Sequence, residues 1–133
     1  MARPTNAAMT PATATALQAY KQRSVLSATP EQLVVMLYEG AVRFLRQAAA
    51  GMREGRLDVS TQRVQRAGAI LDELLSTLDL EQGGEIAANL RDLYLFCHRQ
   101  INEAVVARDG VKLDEIAALL ADLGDAWAQL ARR

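Results

Sequence analysis

A chain of 133 residues is one domain by length, and it can bury roughly two-thirds of the surface its unfolded form exposes. Its 15 Lys and Arg stand against 16 Asp and Glu, a net charge of −1, so there is no positive excess to hold it on a nucleic-acid backbone or an anionic membrane. Hydrophobic residues make up 50% of it, yet no apolar run is longer than Leu33 to Tyr38, far below the roughly twenty residues of a membrane-spanning helix, and neither nucleic acid nor membrane insertion is expected.

From Met1 to Ala16 the chain is small, polar and broken by Pro4 and Pro11, with too little to bury to offset the entropy of ordering it, and residues 1–16 read as a disordered tail. Arg3 is followed by Pro4, Thr5 and Asn6 where a signal peptide would be apolar, so the expected location is the cytoplasm. The single cysteine, Cys97, agrees with a reducing compartment. Residues 17–28 differ from the tail. Leu17, Tyr20, Val25 and Leu26 are apolar residues in a segment too short to be stable alone, which predicts a mobile docking segment that takes any order from the body.

Residues 29–133 carry four helical patterns, an all-α composition rich in Ala and Leu. The first opens with Thr29 as N-cap, Pro30 at the first helical position and Gln32 placed to close a capping box. At roughly 100° per residue, Leu33, Leu37, Gly40, Ala41, Phe44, Leu45, Ala48 and Met52 fall on one stripe. Val35, Tyr38 and Val42 lie past its edge and widen the apolar arc beyond what one packing partner covers. Two readings are open for that flank: a neighbouring helix covers it, or it is the floor of a groove that receives a partner.

Gly51 and Gly55 bracket a turn, and Asp58 or Ser60 is placed to cap a one-sided second helix reaching about Leu78, striped by Val64, Ala67, Leu71, Leu74, Leu75 and Leu78. Gly83-Gly84 reads as a break before a third helix from about Glu85 to Arg108, whose stripe is Ile86, Leu90, Leu93, Tyr94, Cys97, Ile101, Ala104 and Val105. Asp109-Gly110 separates it from a fourth, where Leu113, Ile116, Leu120, Leu123, Trp127 and Leu130 alternate spacings of three and four, the seam of near-parallel packing. Short turns between four amphipathic helices predict an antiparallel up-down four-helix bundle.

The inward positions are aliphatic, so no catalytic residue, cofactor or metal site is expected. Cys97 and His98 are adjacent on a helix and point about 100° apart, unlike a nucleophile and its base. An inward Glu-x-x-His metal pair would need a carboxylate where Leu95 stands. A histidine phosphotransfer domain, also a small bundle, would place Lys and Gly where Ile101 and Asn102 follow His98.

The chain resembles the FliS family of flagellar export chaperones. The resemblance rests on Ala19-Tyr20 with Val25, SATPEQLVVMLYEGAVRFL from Ser27 to Leu45, AGAILDELLSTL from Ala67 to Leu78, LEQGGEIAANLRDLY from Leu80 to Tyr94, and Trp127. It implies a non-enzymatic, cytoplasmic binder. Such a protein holds the disordered C-terminal region of flagellin, keeps it from polymerising and delivers it to the flagellar export apparatus. Tyr20 matches the family's N-terminal tyrosine, associated with flagellin binding. Joined to the two-sided first helix, this yields a candidate partner-binding set: Tyr20, Val25 and Leu26 on a segment that reorganises, with Val35, Tyr38, Val42 and Leu45 as a fixed floor. A self-associating bundle that closes a homodimer over the same flank is the competing class.

Overall fold

The computed structural model describes residues 29–132. Four helices account for nearly all of them: α1 (Pro30–Arg53), α2 (Leu57–Ser76), α3 (Leu80–Ala107) and α4 (Gly110–Ala131). The expected capping box closes α1, with the Gln32 N–H donating to Thr29 Oγ1 at 3.1 Å and the Thr29 N–H to Gln32 Oε1 at 2.8 Å. These bonds satisfy backbone donors that a helix start otherwise leaves without partners. The second helix begins at Leu57 with no side-chain cap. Ser60, predicted as a capping candidate, is buried instead and donates to the Ala48 carbonyl at 2.9 Å, tying α2 to α1.

The glycine pair acts as a kink. Asp79 caps a turn starting at Leu80, its Oδ1 accepting from the N–H groups of Glu81 and Gln82. The backbone then turns at Gly84 (φ 54°, ψ −130°), a conformation that side chains with a Cβ rarely adopt. Ile86, placed on the core stripe by periodicity, is 73% exposed just past this kink. Arg108 ends α3 in the left-handed region, and Asp109 Oδ1 accepts from the Lys112 N–H to start α4.

Each helix packs against its neighbours in chain order, and α4 closes the square on α1. The closest pairing is α1 with α4, antiparallel, as three matched contacts show. A Cβ on Gly124 would lie 3.1 Å from Tyr38 Cβ, a Cβ on Gly110 would lie 3.1 Å from the Ala49 carbonyl oxygen, and Arg53 reaches Asp114 at 2.8 Å. Small residues at these crossings let the two backbones approach. The Arg53–Asp114 pair is solvent-exposed and adds little, about 0–1 kcal/mol.

Leu45, Leu71, Leu74, Leu113, Leu120 and Ile101 fill the centre with alanines between them. Tyr38 and Tyr94 meet across the diagonal between α1 and α3, 0% and 1% exposed, their hydroxyls hydrogen-bonded to each other. Burial pushes both phenols above their usual range. The periodicity that put Tyr38 at the rim of the apolar arc gave the right angle for its Cα and missed the reach of its ring, which carries the hydroxyl into the middle of the bundle.

Candidate functional site

The second apolar flank of α1 opens into a groove of about 560 Å³ between α1 and α4. Its apolar lining comes from Val35, Val42 and Ala50 on α1 and from Ala121, Gly124 and Ala128 on α4, with Tyr38 and Leu120 beneath. Glu39, Arg43, Arg46, Gln47 and Asp125 stand around it. The first reading of the flank holds in part, and a groove remains on the rest of it. The neighbouring helix covers the portion at Tyr38 and Ala49, while Val35 and Val42 keep exposed surface inside the groove.

The structure brings Val35, Tyr38 and Val42 together at this groove and separates Leu45 from them. Leu45 is 0% exposed on the core side of α1 and does not line the groove. Tyr38 borders it while its side chain is wholly buried. Tyr20, Val25 and Leu26 lie outside the described residues.

Sequence reasoning missed the α4 wall. Its signal was present: Ala117, Ala121, Gly124 and Ala128 recur at spacings of four, three and four, a stripe of small residues beside the large-residue seam. The seam drew attention because a wall of alanine and glycine has little hydrophobic weight, although it is what makes the surface concave. Beside the groove, Arg43 lies over the Phe44 ring with Cζ 5.5 Å from its centroid, and Arg66 of α2 sits at 5.8 Å from the same ring.

The two residues with chemical potential are structural in their setting. Cys97 is 0% exposed, and burial pushes its thiol up to about 11, the reverse of what an activated nucleophile needs. His98 spans α3 and α2, its Nε2 2.9 Å from Asp72 Oδ1 and its ring over Gly68. Among the described residues no three His, Cys, Asp or Glu side chains gather as a metal site would require. No described helix is long and apolar enough to cross a membrane. The groove is thus a concave, largely apolar surface with charged side chains around it.

The family model of the flagellar protein FliS matches residues 13–133. The flagellar secretion chaperone FliS of Vibrio cholerae is 39% identical over 118 residues, 86% of this chain and 87% of its own length. The FliS of Salmonella typhimurium is 36% identical over 123 residues, 89% of this chain and 91% of its own, and that of Bacillus subtilis 32% over 111 residues, 84% and 82%.

Proposed function

Since the chain belongs to the FliS family of flagellar proteins, we propose that it is the cytoplasmic secretion chaperone of flagellin, without enzymatic activity. In this role it binds flagellin's disordered C-terminal region, prevents premature polymerisation and hands the client to the export apparatus. The observation that carries this reading is the α1–α4 groove, a concave and largely apolar surface. A disordered segment with amphipathic helical pattern lays its apolar face into such a groove, and the bundle stands in for the flagellin neighbours it will later have. Coupled folding of the whole client segment would bury on the order of 1,000–3,000 Å², more than one groove offers, so the client continues onto further faces.

Val35 and Val42 supply direct contacts in this scheme, with Tyr38 and Leu45 holding α1 in place beneath them. Tyr20, Val25 and Leu26 belong to the segment that packs against the bound client. The test is to mix the protein with a flagellin C-terminal peptide and measure mass in solution. A 1:1 heterodimer supports the chaperone reading. A homodimer indifferent to peptide supports the self-associating bundle instead.

A further inference from the structure

The charges around the groove are sorted along its length. Glu39 and Asp125 each adjoin the Tyr38–Gly124 contact in sequence, so both carboxylates stand at one level, beside the end formed by Val35 and Ala128. Arg43 and Arg46 follow further along α1 toward Ala50. Glu39 and Arg46 are two helical turns apart, about 10 Å. Arg66 of α2 shares the Phe44 ring with Arg43 but does not line the groove, so the basic half consists of Arg43 and Arg46. Among the described residues none of Glu39, Asp125, Arg43, Arg46 and Arg66 is in an ion pair. Asp114, the carboxylate of α4 facing that half, is already held by Arg53 at 2.8 Å. The groove is thus an apolar trough with a negative end and a positive end, about 22 Å long from Val35 to Ala50 at the rise of a helix, enough for a helix of roughly fifteen residues.

We infer that this gradient sets the direction of the bound helix: its N-terminal end lies at Val35 and Ala128 and its C-terminal end at Arg46 and Ala50, parallel to α1. The inference rests on the proposed client. A helix carries partial positive charge at its N-terminus and partial negative charge at its C-terminus, and acidic side chains in its last turns add to the attraction of the basic end. The alanine and glycine wall of α4 does not discriminate direction, because it presents no side-chain pattern long enough to interlock in one sense only. Arg43 and Arg46 are accordingly the residues that specify orientation, while Val35 and Val42 supply adhesion.

The experiment scans single cysteines along the flagellin C-terminal segment and reads disulfide formation with the full-length chaperone carrying either Ala128→Cys or Ala50→Cys; native Cys97 is buried. Client positions that pair with Ala128→Cys should precede, by roughly fifteen residues, those that pair with Ala50→Cys. The reverse order, or pairing of the same positions with both, overturns the orientation and leaves the groove as the binding site. A client that binds yet pairs with neither cysteine places itself elsewhere and overturns the groove reading as well. In a second arm, the Arg43→Glu, Arg46→Glu double variant should bind roughly five- to twentyfold more weakly at low salt, with the difference shrinking in high salt. Equal affinity at low salt would remove the electrostatic basis of the inference.

Discussion

Removing the hydroxyl of Tyr38 leaves the Tyr94 hydroxyl, 1% exposed, without a partner and without water. An unsatisfied buried hydroxyl costs about 1–3 kcal/mol, so Tyr38→Phe should destabilise the bundle by that amount even though the ring and its packing are kept. The reciprocal change, Tyr94→Phe, leaves the Tyr38 hydroxyl, 0% exposed, in the same position, and should cost a similar amount, about 1–3 kcal/mol. With both hydroxyls gone nothing polar is left unmatched, and the double variant should recover most of the loss, giving a coupling of about 1–3 kcal/mol in a double-mutant cycle. Urea unfolding followed by circular dichroism would read this as a shift of midpoint at constant slope; at a typical slope of about 2 kcal/mol per molar, 2 kcal/mol moves the midpoint by roughly 1 M. Additive single effects would refute the account of the pair as a self-satisfied polar unit.

Stability should fall as pH rises above about 9. The Cys97 thiol rises from 9.0 to about 11 on folding, so its contribution is complete below the lower value and lost as pH climbs through the higher, on the order of 3 kcal/mol. Tyr38 and Tyr94, raised from 10.0, extend the loss further, and urea midpoints of Cys97→Ala across this range should lack only the first part. Gly84→Ala should lower stability by about 1–3 kcal/mol in thermal melts, and Gly84→Ser by the same amount, because nothing lies within 4 Å of an added Cβ and the strain is entirely in the backbone. Leu71→Ala, fully buried, should cost about 2–5 kcal/mol, whereas Val42→Ala should weaken client binding in a pulldown while moving the melting temperature much less. Deleting residues 1–16 should leave client affinity unchanged, and Tyr20→Ala should weaken it by about tenfold, near 1.4 kcal/mol by titration calorimetry; tighter binding by Tyr20→Ala would show a segment that only occludes the groove.

What was legible in the sequence was local or periodic. Thr29 and Gln32 announce their capping box, Asp109-Gly110 its turn, and the wide arc of α1 its two packing directions. What escaped depended on contacts far apart in the chain. Ser60 has the chemistry of a cap, and only the approach of Ala48 makes it an inter-helix tie. Ile86 keeps helical spacing with Leu90 and Leu93, but the backbone turn at Gly84 leaves it exposed where a continuous periodicity would have buried it. Half of the groove was visible as Val35 and Val42; the other half is built from alanines and a glycine, whose contribution is the space they leave.

The most extensive pairing in the bundle joins the first of the four described helices to the fourth. During synthesis α1 leaves the ribosome long before α4, and α2 can cover only one of its flanks meanwhile. The groove has no second wall until Ala121, Gly124 and Ala128 have emerged. Under the proposed function, a nascent chain lacks this groove until α4 has been made, so a translation product terminated before α4 should not hold a client there.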